Sequence, residues 1–397
     1  MDKQTEIEPP FTGSSPADKR DKSPEANPAG RLNISKLDES RLPRTIFSLI
    51  WPVVIQESAF GVLAMVATFL VGKFGAAAIT AVGLGENIVH LPEVAFAGIA
   101  VGATAIIARH VGAGETQQVN RSVQQAMLLS LVLGTVFAII WWFTADWWLV
   151  IFRARPEVIG LGRDFIRINA PAIPAFFILY CGESLMRGSG DTRTPMIVTV
   201  SIELIGAVAA VVLIRGFWFV PAMGVIGAAI ARVIVSVLGA LLIIILLVRG
   251  CGILKWDLRT ALKFDYAATR RILRIGLPAF IDAGQMRAAM SVYQIIISSL
   301  GTVSFAAHSL AMRVEEFAFM PAWGFSVAAT TLVGQYLGAK RPDLAEKAAG
   351  LARRYCLIAM ISIGLLTVIF GQRLLDVFID DPEVIRLGTL GLLVWAV

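Results

Sequence analysis

From residue 45 onwards the chain alternates long apolar runs with short charged stretches; Ala207–Ile214, Val233–Val248 and Ile358–Phe370 are three of the runs. About 20 mostly apolar residues cross a bilayer as a helix, and a helix satisfies its own backbone polar groups within lipid. The pattern predicts spanning helices near 45–71, 86–108, 121–145, 158–186, 194–215, 223–249, 272–298, 312–335, 346–370 and from 384 onwards. Residues 1–44 have the opposite character. They are rich in Pro, Ser and charged residues and carry no apolar run, so a disordered, solvated tail is expected rather than a signal peptide.

The same pattern occurs twice. With a shift of 226 residues, Pro52 falls on Pro278, Gly75 on Gly301, Leu84 on Leu310 and Gly98 on Gly324. Gly112-Ala113 falls on Gly338-Ala339, and Pro156-Glu-Val-Ile falls on Pro382-Glu-Val-Ile. One ungapped register over this distance marks an internal repeat. Six helices per unit is an even number, so both units enter the membrane in the same direction. They should be related by a pseudo-twofold axis along the membrane normal. The expected fold is an all-α polytopic membrane protein of two six-helix lobes, with about ten helices present. The expected parts are a cytoplasmic tail (1–44), a first lobe (45–249), a cytoplasmic linker (250–271) and an incomplete second lobe (272–397). Val397 falls on Pro171 of the first unit, so the chain is expected to be a fragment of one of about 475 residues.

Charge sets the expected orientation. Of the 35 Lys and Arg, 24 fall on the side of the tail and 8 on the other. Basic residues concentrate on the cytoplasmic side of membrane proteins, which puts the N-terminus inside the cell and the chain in the cell (inner) membrane as a multi-pass protein. The net charge of +6 then reflects loops and not nucleic-acid binding. Cys181, Cys251 and Cys356 show no metal-ligand spacing and read as small packing residues. Trp141, Trp142, Trp147 and Trp148 read as interface anchors.

Charged groups inside a bilayer are expensive and mark functional candidates. Glu57 in helix 1 and Asp282 in helix 7 lie at nearly matching depths of the two units. A poorly hydrated carboxylate can exchange a proton near neutral pH; the alternative is a structural hydrogen bond between helices. Glu203 reads as the deepest acid of the first unit. Glu86, His90 and Glu93 share one face of helix 2, and Arg313, Glu315 and Glu316 occupy the corresponding stretch of helix 8. Glu183 and Arg187, four apart, suit an ion pair. Pro92, Pro171, Pro174 and Pro321 should kink or break their helices. Phe317, Phe319 and Trp323 either stack on a lipophilic cation or pack.

Three stretches carry a family likeness: "MRGSGDTRTPMIVT" (Met186–Thr199), "PAMGVIGAAIARVI" (Pro221–Ile234) and "AAHSLAMRVEEFAFMPAWGFSVAATTLVGQYLGA" (Ala306–Ala339). They resemble multidrug and toxic compound extrusion (MATE) transporters, and the likeness runs from about residue 45 to the end. The resemblance implies a central cavity between two lobes and export driven by inward proton or sodium flow. It implies that the helices carrying His90, Glu93, Arg313, Glu315 and Glu316 border a substrate cavity; the candidates for ion coupling, Glu57, Glu203 and Asp282, come from the intramembrane charges themselves. Arg313 is expected to neutralise one of these acids. The chain departs from the family where Asp is frequent: Ala67 stands in helix 1 and Ala210 in helix 5.

The leading expectation is a secondary antiporter, acting as a monomer, that exports drug-like cationic compounds in exchange for H+ or Na+, with a small-molecule substrate and the bilayer as its partners, no nucleic acid and no cofactor. The runner-up is a flippase for a lipid-linked sugar, which a basic cavity would favour. No nucleotide-binding loop points to ATP. No clustered nucleophile and base, or metal-ligand set, points to an enzyme.

Overall fold

The computed structural model describes residues 42–396 except 72, 73, 75, 153, 155, 218–220, 261, 262, 300, 301 and 377–381. The expected tail lies outside the described residues except for its last three, which open the first helix. The side chains of Ala67, Arg313, Glu316 and Phe317 also lie outside them.

Twelve α-helices follow one another among the described residues: α1 (Leu42–Val71), α2 (Ala76–His90), α3 (Pro92–Gly112), α4 (Thr116–Ile151), α5 (Pro156–Asn169), α6 (Ile173–Ser189), α7 (Arg193–Arg215), α8 (Gly224–Arg249), α9 (Tyr266–Ser299), α10 (Thr302–Gly338), α11 (Pro342–Asp376) and α12 (Pro382–Ala396). Eight of the ten apolar runs predicted to span are each found as one helix. Among the described residues, six stretches, Thr80–Gly112, Thr116–Ile151, Pro156–Ser189, Arg193–Arg215, Gly224–Arg249 and Pro342–Asp376, are long and apolar enough to cross a membrane.

Two predicted spans are broken, both at proline. Pro92 opens α3 directly after Leu91, because proline suits the first turn of a helix and lacks the N–H a continuing helix needs. Pro171 sits in the 3-10 turn Ala170–Ala172 that separates α5 from α6. Pro321, in contrast, lies inside α10, which runs on through it to Gly338.

The helix contacts obey the repeat. α3 packs on α9, and α10 packs on α1; these pairs exchange under the 226-residue shift. α3 also packs on α10, a pair that maps onto itself and so lies at the pseudo-axis. Close approaches come in mates as well. A Cβ on Gly98 would lie 2.4 Å from the Gly276 carbonyl oxygen, and one on Gly324 would lie 3.0 Å from the Ile50 side chain. Small residues let helices approach where lipid supplies no hydrophobic drive. A buried cluster of Leu42, Ile46, Leu49, Phe325, Leu332 and Tyr336 seals α1 against α10.

Trp141 corrects one expectation. It is buried, and its indole Nε1 donates to the Ile88 carbonyl at 2.8 Å. It therefore anchors α4 to α2 instead of sitting at the membrane interface, while Trp142 and Trp147 are exposed.

Candidate functional site

The turn between α6 and α7 fixes the first half of the site. Gly190 ends α6 with φ 94°, a left-handed conformation that glycine adopts without steric cost. Asp191 then caps α7: its Oδ1 accepts from the backbone N–H of Arg193 and Thr194, and its Oδ2 accepts from the Thr194 hydroxyl at 2.6 Å. This sets α6 antiparallel to α7 and brings Glu183 opposite Thr199.

Around Glu183 the polar groups interlock. Gln56, from α1, donates through Nε2 to Glu183 Oε2 at 2.9 Å and to Thr199 Oγ1 at 3.0 Å. The Thr199 hydroxyl donates to Glu183 Oε1. Arg187 Nη1 donates to Gln56 Oε1 at 3.3 Å and lies 3.9 Å from Glu183 Oε2. The Arg187 guanidinium also lies 5.7 Å from the Tyr180 ring centre. Gln56, Glu183, Arg187, Thr199 and Glu203 are all buried. The group touches the other lobe through backbone: Thr331 of α10 donates its hydroxyl to the Arg187 carbonyl at 2.9 Å, and Gln335 donates to the Gly188 carbonyl.

A second group lies at the α2–α3 break. His90 ends α2 and Glu93 stands in the first turn of α3. His90 Nδ1 pairs with Glu93 Oε1. Arg232, from α8, reaches His90 Nε2 at 2.6 Å. Glu93, Arg232, Asn169 and Ser236 line a cavity of about 10 Å³ with Phe176 and Phe177, room for about one water molecule.

Glu57 and Glu203 connect the two groups. Glu57 is within electrostatic reach of Arg187 and Glu93; Glu203 is within reach of Arg232 and Glu183. Four carboxylates, two guanidinium groups and one imidazole thus share the interior of the first lobe. A larger groove of about 580 Å³ on α7 and α8, lined by Leu204, Val208, Val212 and Ile234, contains no charged side chain and has the character of a lipid-facing surface.

Of the residues singled out from sequence, Glu57, Glu203, His90 and Glu93 come together. Asp282 does not join them. It is exposed on α9, and its helix meets α3 through Gly276 and Phe280, a stripe that leaves position 282 on the opposite face. Glu315 is half-buried on α10, and the side chains of Arg313 and Glu316 lie outside the described residues. Glu183 and Glu203 are both buried, at 4% and 7% exposure. Glu183 and Arg187 do form the expected pair. Sequence reasoning assigned no role to Gln56, Thr199 or Arg232. Arg232 carried a signal, a charge in the middle of an apolar run. Gln56 and Thr199 carried none that distinguishes them from ordinary helix-packing polar residues.

Comparison with known proteins agrees with this architecture. The MatE family model matches residues 52–212 and 286–396. A probable multidrug resistance protein, NorM of Thermotoga maritima, is 26% identical over 363 residues, covering 90% of this chain and 76% of the relative. The multidrug resistance protein PmpM of Pseudomonas aeruginosa is 25% identical, covering 87% of this chain and 72% of its own. Among solved structures, an outward-facing multidrug resistance MATE family transporter of the MOP superfamily superposes with a TM-score of 0.80 at 22% identity, over 91% of this chain and 80% of that one. A MOP superfamily transporter from Pyrococcus furiosus gives 0.81 at 22% identity, over 89% and 78%.

Proposed function

Because the chain belongs to the MatE family, we propose that it is a secondary antiporter, exporting drug-like cationic organic compounds in exchange for protons or sodium ions. The carrying observation is the charge balance inside the first lobe. Among the described residues, Glu57, Glu93, Glu183 and Glu203 lie near two guanidinium groups, those of Arg187 and Arg232, and Glu93 also pairs with His90. Carboxylates therefore outnumber guanidinium groups four to two in this part of the first lobe. Such a group favours taking up cations, and releasing them on the other side of the membrane couples their flow to export.

Glu203 and Glu57 are the residues assigned to ion exchange, since neither has the close guanidinium partner that Glu183 has. Glu183, Gln56, Thr199 and Arg187 position α1 against α6 and α7. The protein works as a multi-pass component of the inner cell membrane with its N-terminus inside, an orientation the basic loops support. Multidrug naming among the relatives and the acidic balance of the lobe support a cationic cargo over a lipid-linked sugar.

The test is drug accumulation in cells stripped of their own exporters. Expression of the chain should lower ethidium accumulation, and Glu203→Gln expressed to the same level should restore it. Equal accumulation with and without the wild-type chain, at verified membrane expression, would count against export of cations.

A further inference from the structure

The segment between α8 and α9 is folded onto the first lobe and is not a slack tether. The backbone N–H of Trp256 donates to the carbonyl of Leu247, in the last turn of α8, at 2.9 Å. The chain thus turns back on the helix it has just left. Cys251 and Leu254 exchange backbone hydrogen bonds of 3.0 Å, and Leu254 and Trp256 are buried in the core of the first lobe. Three side-chain amides near the start of α4 fasten the rest. Asn120 Oδ1 accepts from the Lys255 N–H at 3.0 Å. Gln124 Nε2 donates to the carbonyls of Thr260 and Lys263. Gln125 is buried; its Nε2 donates to the Lys263 carbonyl at 2.7 Å, and its Oε1 accepts from the Asp265 N–H and the Thr269 hydroxyl, each at 3.1 Å.

These anchors hold mostly main-chain groups, which leaves the side chains of the same stretch facing out. Lys255, Arg259 and Lys263 are exposed. So are Leu258, Phe264 and Tyr266, each by more than half. The ion pairs found among the described residues involve other side chains. Both acids of the segment are engaged with backbone: Asp257 Oδ1 accepts from the Arg259 N–H at 2.9 Å, and Asp265 Oδ1 from the Ala268 N–H at 3.0 Å. Residues 249–274 hold seven Lys or Arg against two Asp.

Going beyond the cargo and the coupling ion, we propose that the outer face of this linker (Lys255, Leu258, Arg259, Lys263, Phe264 and Tyr266) binds the headgroups of anionic phospholipids in the bilayer around the protein.

Charge alone would suit any polyanion. Two observations favour lipid. α8 is long and apolar enough to cross a membrane and ends at Arg249, and the bond from Trp256 to Leu247 keeps the linker level with the end of that helix, at the surface of the bilayer. Bulky apolar side chains also stand among the cations. Lys and Arg meet the headgroup phosphates while aromatic and aliphatic groups enter the boundary of the acyl chains, the combination that seats a segment in a membrane interface. Basic residues beside an anionic membrane each strengthen its attraction about fivefold. The amides of α4 order the backbone before any lipid arrives, so little ordering cost is left for binding.

The test is lipid binding to the purified chain in a neutral detergent, which involves no transport and stands whatever the cargo or ion. The chain is titrated with dioctanoyl phosphatidylglycerol and with dioctanoyl phosphatidylcholine, and bound lipid is read by native mass spectrometry. The wild type should bind the anionic lipid at least about tenfold more tightly. The variant Lys255→Gln/Arg259→Gln/Lys263→Gln, which alters exposed side chains alone, should bind the two lipids within about threefold of each other. The variant Lys340→Gln/Arg353→Gln/Arg354→Gln removes the same charge from exposed positions of the α10–α11 region and should keep the wild-type preference. Equal binding of the two lipids by the wild type overturns the proposal. So does a preference that survives in the linker variant, or one lost equally in both variants, which would reflect net charge and not this surface. Displacement of the bound lipid by an equal concentration of inorganic phosphate would mark a phosphate site and also overturn it.

Discussion

Gly112 and Gly338 hold equivalent places in the two lobes: a Cβ on either would fall 1.9 Å from a backbone oxygen across the lobe boundary, that of Gln335 for Gly112 and of Arg109 for Gly338. The four residues are mates under the 226-residue shift. Gly334 and Ala108, also mates, meet each other, with a Gly334 Cβ 2.6 Å from Ala108 Cβ. Here α3 and α10 cross at the pseudo-axis, at the end of each helix that precedes a charged loop. The lobes are closed together at this end, and the Thr331–Arg187 and Gln335–Gly188 bonds tie the polar cluster to the same seam.

Gly338→Leu should therefore force α3 and α10 apart. Overpacking of this kind costs about 1–3 kcal/mol, and the relief available is opening of the seam. Thermal unfolding in detergent should drop, and a cysteine placed at Ala108 should become more reactive than in the parent chain. Unchanged stability and unchanged reactivity would show that the seam is not tight.

Arg187→Ala should destabilise more than it disturbs any surface. It removes the guanidinium near Glu183 and leaves that carboxylate buried, a change worth about 3–5 kcal/mol. Adding Glu183→Gln to Arg187→Ala should recover much of the loss, because the residual charge is gone. Unfolding measurements on the two variants check this, and equal stabilities would mean the pair is not coupled.

Glu203→Gln and Asp282→Asn should part company. Glu203 is buried within reach of Arg232, while Asp282 lies on the face of α9 turned from α3. Gradient-driven transport should fall by about tenfold or more for the first, the scale of removing a group that must carry a proton, and by much less for the second. The reverse order would move ion exchange to the second lobe.

The architecture was legible in the sequence because lipid imposes simple rules. Apolar length located the helices, the 226-residue register located the pseudo-axis, and Pro92 and Pro171 located the breaks. The register even anticipates contacts, since Gly98 and Gly324, aligned in sequence, each meet the first helix of the other lobe. The site was legible only in its charges. Intramembrane Glu57, His90, Glu93 and Glu203 announced themselves by cost. What the sequence hid was direction. His90, at the end of α2, meets Arg232 of α8, a pairing that periodicity within either segment does not show. Trp141 was misplaced for a similar reason: four tryptophans in one short stretch cannot all face the same way round a helix.

Orientation is checked with thiol labelling. In a chain with Cys181, Cys251 and Cys356 replaced, Lys340→Cys should react with an impermeant maleimide only in inside-out vesicles, as the basic loops require. Labelling in intact cells would reverse the topology.

The central claim, exchange of cations for a drug-like cation through the first lobe, is tested most directly by a fluorescent-cation flux in liposomes carrying the chain. One batch receives a proton gradient and another a sodium gradient at constant pH. The account predicts substrate movement under at least one of the two gradients, and collapse of that flux in Glu203→Gln. No movement under either gradient, with the protein folded and inserted, would contradict it.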